Sequence, residues 1–307
     1  MDTFFQQIIN GLVQGSVYAM VALGYTMVYG ILGLINFAHG EVVMVGAMVA
    51  LSVIQLSISY GLPPILALLI GLMVSIAACM ALGYSIERVA YRPLRKAPRL
   101  APLITAIGVS MVLQTLAMII WGREYHAFPS LLPNGSHVLF GAIITEVQIL
   151  IILVALAMMG GLLLLVHRTR LGRAMRAVAE DPSIATLMGV NTNSVISTTF
   201  ILGSGLAATA GVMISANYGI AHYYMGSVLG LKAFTAAVLG GIGNMYGAML
   251  GGLLLGLIES LGAGYIGDLS GGFLGSHYQD VFSFFVLISV LIFRPSGLLE
   301  ERVAERS

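Results

Sequence analysis

Three polar side chains crowd into one short stretch of otherwise apolar sequence: Asn36, His39 and Glu41, within GLINFAHGEVVMVGA at residues 33–47. An amide, an imidazole and a carboxylate at this spacing could relay protons, ligate a metal or meet a polar cargo. A metal fits poorly, because one His and one Glu two positions apart supply too few ligands and point to different helix faces. Hydrolysis fits no better: the sequence has no His-Glu-x-x-His pattern, and His39 has no evident nucleophile partner. Two further charges, Lys232 and Glu259, also fall in apolar runs. At mid-bilayer each would cost about 2.5–3.5 kcal/mol on insertion scales, so each should face protein or a water-filled cavity.

Composition dictates the elements that must hold these groups. The chain has 307 residues, of which 58% are hydrophobic and 9% charged, against about 25% charged in ordinary soluble domains. Apolar runs of roughly the 20 residues needed to cross a bilayer recur along its length. Strands of a membrane barrel would alternate apolar and polar residues over about ten positions, and no such alternation is present. The reading is an all-α polytopic membrane protein, one domain over 1–307, with spans near 11–34, 39–59, 63–86, 100–121, 147–166, 195–216, 231–262 and 279–293. Cys79, the single cysteine, excludes an internal disulfide and is expected to pack as a small hydrophobe.

Charge placement sets the orientation. Five of the 14 basic residues fall in 88–99, four in 168–176 and three in the tail from Arg294, which the positive-inside rule assigns to the cytoplasm. Segments 122–146 and 217–230 then lie on the opposite face, and 231–262 must leave and return to that outer side. LGGIGNMYGA, residues 239–248, offers the turn, with four glycines and an asparagine. The expected total is eight or nine crossings, depending on whether this glycine-rich hairpin is re-entrant. About a midpoint near 245.5, Lys232 and Glu259 lie at similar depth on antiparallel arms, as an ion pair near the outer mouth or as two groups reaching water separately. If they pair, reversing both charges should restore what either single reversal damages. Gly247/Gly251 and Gly252/Gly256 have the four-residue spacing that lets helix backbones approach closely.

The break holding Asn36, His39 and Glu41 has two readings. Asn36 can cap the next helix and Glu41 can face its positive dipole end, so that all three merely satisfy the interruption. Alternatively the break lines a passage, where irregular backbone is tolerated beside water and its amides could briefly accept a carboxylate.

The longest basic-side loop, 167–194, carries another signal. Asp181-Pro182 starts a helix, Ile184, Leu187 and Met188 recur on one face, and Gly189 ends it. A helix of about two turns is not stable alone. It needs a partner to dock against or a headgroup layer to lie in, and Arg173 and Arg176 suit anionic lipid as well as protein.

GYTMVYGILGLINFAHGEVVMVGA (24–47), SIERVAYRPLR (85–95), GRAMRAVAEDPSIATLMGVN (172–191) and GLKAFTAAVLGGIGNMYGAMLGGLLLG (230–256) together resemble the inner-membrane permeases of branched-chain amino-acid ABC importers, the LivH or BraD type. The resemblance spans nearly the whole chain, in the family's order. It implies a bacterial inner-membrane, multi-pass, non-catalytic subunit forming part of the translocation path for Leu, Ile and Val. It also implies a second permease (a heterodimer), two cytoplasmic ATPase subunits, a periplasmic branched-chain amino-acid binding protein, and no nucleic acid. Under it, 172–191 is the coupling segment received by the ATPase, with Arg173, Arg176, Asp181, Pro182, Ile184, Ala185, Leu187, Met188 and Gly189 as its working residues. Asn36, His39 and Glu41 fall in the family's most recognisable block without an implied binding role. No cofactor is expected on this chain: it contains no G-x-x-x-x-G-K-[ST] loop, so ATP and Mg belong to the ATPase chains. A stand-alone proton-coupled secondary amino-acid transporter is the competing class, with Glu41, Glu259 or His39 as relay. The capped 182–189 helix is a part that such a carrier would not require.

Overall fold

The computed structural model describes residues 2–95, 97–98, 100–130, 135–139, 141–269, 278–294 and 296–299. Lys96 and Arg99 of the first basic cluster, and Arg302 and Arg306 of the tail, lie outside them. Among the described residues the chain is almost entirely helical. Helix α1 spans Asp2–Leu32, α2 His39–Ser59, α3 Pro64–Ile86, α4 Leu100–Trp121 and α5 Glu146–Arg168. They are followed by α6 (Arg170–Glu180), α7 (Pro182–Leu187), α8 (Thr192–Tyr218), α9 (Met225–Gly240), α10 (Met245–Leu269) and α11 (Gln279–Phe293). Seven of the helices are long and apolar enough to cross a membrane: α1, α2, α3 with its extension, α4, α5, α8 and α10. This is a multi-pass α-helical membrane protein.

Local chemistry explains most boundaries. The first proline in the sequence is Pro63, so nothing interrupts α1 until Gly33, at φ +62°. That helix begins nine residues before the expected span because Gln6 bonds both backbone groups of Ile143 and ties the N-terminal turns down. Thr145 and Gln148 form a capping box at the start of α5, Pro64 occupies the first position of α3, and Asn191 caps α8.

Among the described residues four short strands lie outside the helices, and the sequence signalled none of them. β1 (His126–Ala127) pairs antiparallel with β4 (Ile220–Ala221), and β2 (Ser136–Leu139) forms a hairpin with β3 (Ala142–Thr145). The β1–β4 pair brings the segment after α4 against the segment after α8.

At the centre, α1 packs along α10 and touches α8, α9 and α5. The two glycine pairs of α10 face different partners. Gly247 and Gly251 abut Gly240 and Ala236 of α9, whereas Gly252 and Gly256 abut Ala19 and Gly15 of α1. A side chain at any of the four would run into backbone, so α10 is seated between two neighbours at once.

Two expectations need correction. The hairpin's first arm starts at Met225 rather than 231, and its second runs to Leu269 rather than 262. The contacts Gly240–Gly247 and Ala236–Gly251 centre it near 243.5, half the sum of each pair, not 245.5. The loop 167–194 also holds a helix, α6, that was not anticipated. Its sequence RLGRAMRAVAE buries Gly172, Met175 and Val178 along one side and leaves Arg173 and Arg176 exposed. The period is plain, but the segment carries so few apolar residues that its charge hid it.

Candidate functional site

The break between α1 and α2 sends its three polar side chains in three directions. Asn36 does not cap α2 in the usual way. Its Oδ1 accepts from Ala38 N at 3.1 Å and from the Tyr91 hydroxyl at 2.9 Å, tying the break to the turn that follows α3. His39 is buried between α1 and α8, where its ring fills the space that Gly24 leaves empty and meets Tyr25 edge-on at 4.9 Å.

Glu41 points the third way, toward α4 and α9. Its Oε1 accepts from Ser227 Oγ at 2.9 Å and Ser110 Oγ at 3.2 Å, and Gln114 steadies Ser227 at 3.0 Å. Its Oε2 is buried with no hydrogen-bond partner among the described residues. The carboxylate sits where the first turns of α2 and α9 run side by side in opposite directions: Phe37 meets Phe234, Gly40 meets Gly230 and Met44 meets Gly226. Met44 lies 15 residues from Ser59, so α9 begins about 22 Å in from that end of α2. Only glycines permit the crossing, since a Cβ on Gly226 would strike both Gly40 O and Glu41 Oε2.

A second polar cluster joins four helices. Lys232 Nζ lies 3.3 Å from Glu259 Oε2 and 2.6 Å from Asp280 Oδ1. The same Glu259 oxygen accepts from Tyr18 Oη at 2.8 Å and Gln14 Nε2 at 3.0 Å. Lys232 is not level with Glu259, as the equal-depth expectation had it. In the observed register it faces position 255, one helical turn (about 6 Å) short, and its long side chain spans the gap.

On the basic side, α6 lies against α1, α5 and α8, and Arg176 donates to the Val166 carbonyl at the end of α5. The cap of α7 is formed by Asp181, whose Oδ1 accepts from Ser183 N at 2.7 Å and Ile184 N at 3.0 Å. Gly189, at φ +85°, closes the far end in the left-handed region. Ala185 is buried against the chain, while Pro182 and Ile184 are exposed, Leu187 is 86% exposed and Met188 80%. Large apolar groups so exposed on a six-residue helix call for a covering layer, either protein or lipid headgroups.

A family model described as branched-chain amino acid transport system / permease component matches residues 7–291. The chain belongs to that family. It is 49% identical over 308 residues to the high-affinity branched-chain amino acid transport system permease protein BraD of Pseudomonas aeruginosa, covering 99% of this chain and 98% of that one. It is 45% identical to LivH of Escherichia coli K12, over 99% and 97%. A probable branched-chain amino acid transport permease protein LivH of Methanocaldococcus jannaschii is 29% identical over 94% and 90%.

In this permease several groups around the candidate sites went unread in the sequence. Asp280, Tyr18 and Gln14 complete the Lys232–Glu259 cluster, yet they lie far away in sequence and nothing local marks them. Glu87 is another. Fully buried, it receives Arg92 Nη2 and Ser197 Oγ, each at 2.8 Å, and is bonded by Arg95, clamping the end of α3 to α8. Residues 87–91 form a π-helical turn, in which groups five apart come together. The Glu87–Arg92 spacing in SIERVAYRPLR was the available signal.

Proposed function

We propose that this permease is a non-catalytic membrane subunit of an ATP-driven importer of leucine, isoleucine and valine in a bacterial inner membrane. The near-full-length likeness to BraD and LivH carries the reading. The full assembly would pair it with a second permease, two cytoplasmic ATPase subunits that hold ATP and Mg, and a periplasmic binding protein. Nucleotide binding falls to other chains because this sequence has no phosphate loop. On this reading the seven long helices cross the membrane, the shorter α9 and α11 bring the total to the eight or nine expected from the sequence, and α6 and α7 lie in the cytoplasm.

On this reading α7 is the element that the ATPase grips. A joint of this kind transmits work only if each ATPase state contacts it differently. Ile184, Leu187 and Met188 offer the apolar contact, Asp181 and Gly189 fix the helix ends, and Ala185 seats it on its own chain. Arg173 lies on the outward side of α6 beside it, while Arg176 reaches back to the end of α5. Through α6 the load reaches a cavity of about 240 Å³ bounded by Gly30 of α1, His167 of α5 and Asn244 at the hairpin turn. Of the break residues, Glu41 is assigned to the translocation path; Asn36 and His39 hold the break's shape.

Leucine uptake into vesicles carrying the complete importer, with and without internal ATP and with the proton gradient collapsed, tests the proposal. Uptake that requires ATP and ignores the gradient is expected. Uptake that survives ATP depletion and dies with the gradient would overturn it in favour of a carrier.

A further inference from the structure

Glu41 is placed where a carboxylate is costly and only half satisfied. One oxygen takes two serine hydroxyls while the other, on a residue only 1% exposed, takes none among the described residues. A group needed merely to finish the break would have no reason to stay so, since a buried unpaired acceptor is destabilising. Around it, Gly40, Gly226 and Gly230 leave the backbones of α2 and α9 uncovered by side chains. A buried carboxylate oxygen that takes no donor among the described residues, set in bare backbone, is the complement of an ammonium group.

We infer that Glu41 Oε2 receives the α-ammonium of the amino acid in transit between α2 and α9. The inference rests on the importer reading and adds to it the residue that recognises the cargo's backbone. Recognition through groups common to all amino acids leaves side-chain selection to other parts of the assembly. It also explains why the seam is lined with glycine. The seam is shut here, Gly226 lying directly on Gly40 and Glu41; for α2 and α9 to part around a small molecule, glycine backbones separate at this level and Phe37 leaves Phe234 beyond it.

The test uses the complete importer in proteoliposomes and two readouts. In the first, ATP-driven leucine uptake is compared for wild type, Glu41→Gln and Glu41→Asp, each first checked for intact assembly by co-purification. Loss of one charge-assisted bond to the ammonium should lower uptake about tenfold or more in Glu41→Gln. Glu41→Asp should recover a substantial part, because it keeps the charge. In the second, a diazirine analogue of leucine is photolysed during turnover of the wild-type importer, and the labelled peptides are mapped. Label within 36–44 and 225–231 is expected. Undiminished uptake by Glu41→Gln overturns the inference, as does label confined to other helices, and the second readout holds even if Glu41→Gln fails to assemble. Absence of ATP-dependent leucine uptake by the wild type would instead overturn the importer reading.

Discussion

Removing Lys232 should damage this protein far more than removing Asp280, although both belong to one charged cluster. Glu259 has a side chain with no solvent exposure, whereas that of Asp280 is 55% exposed. Deleting the cationic partner of a buried carboxylate typically costs about 3–5 kcal/mol, because the remaining charge is left uncompensated. Here Tyr18 and Gln14 still donate to Glu259, so Lys232→Met should fall at the lower end, near 3 kcal/mol. Asp280→Asn removes a largely solvated pair worth about 0–1 kcal/mol. Glu259→Gln keeps a group that Tyr18 and Gln14 can bond and leaves Lys232 with Asp280, for an intermediate loss. The double variant Lys232→Met with Glu259→Gln should be less damaged than the sum of the two singles, with a coupling of about 1–3 kcal/mol.

Thermal unfolding of the purified protein in one detergent, read as the shift in Tm across this cycle, supplies the numbers. The ordering expected is Asp280→Asn mildest, then Glu259→Gln, then Lys232→Met. A Lys232→Met variant as stable as Asp280→Asn would refute the claim that Glu259 depends on it, and strict additivity would refute the coupling. The structure also changes what a double charge reversal should do. Lys232→Glu would meet Asp280 at the same short range, so swapping the charges of 232 and 259 should not restore stability unless Asp280 is altered as well.

Leu187→Asp should abolish co-purification of the ATPase subunits while the permease remains inserted; co-purification at the wild-type level would remove α7 from the coupling role. Asp181→Ala deletes both bonds of the α7 cap and should cost about 1 kcal/mol locally, visible as faster amide exchange over 182–188 with little change in α8. Gly24→Ala drives a methyl group into the His39 ring and should lower stability by about 1–3 kcal/mol; pairing it with His39→Ala should return part of the loss in Tm.

Hydropathy and punctuation made the large elements legible. The bounds of α2, α4 and α11 match their expected spans because each begins or ends at an abrupt local signal: the polar break at 33–38, the basic run before Leu100, and Arg294 after Phe293. The Asp181-Pro182 start and the Gly189 stop likewise act through neighbouring atoms, so their geometry follows from the residues present. The start of α9 was hidden for the opposite reason. His222 before it is held by contacts with Tyr125 and Arg123 from another loop, and no periodicity in 217–230 reports a partner a hundred residues away. The clusters around Glu41 and Glu259 share this limit. Each charged residue stood out as costly, but the serines, tyrosine and glutamine that compensate it are ordinary residues until folding brings them together.

The two glycine-lined contacts of the interior serve different ends, and their polar groups tell them apart. Along α1, α9 and α10, close backbone approach is reinforced by Lys232, Glu259, Tyr18 and Gln14, and Asp280 adds α11, so that these helices are bound both by packing and by buried charge. A second group forms around α2, where Ser75 donates to the Gly46 carbonyl at 2.7 Å and Gly211 of α8 lies against Val43. Between the groups, at Gly40 and Gly226, the only hydrogen bonds from Glu41 among the described residues come from two serine hydroxyls. Separating helices there breaks neutral-donor bonds to one carboxylate oxygen, worth about 1.5–3 kcal/mol each at most. Separating α10 from α9 or α1 would instead expose a buried ion pair. If the interior opens, the lower cost lies on the α2–α9 seam, which is where the half-satisfied carboxylate waits.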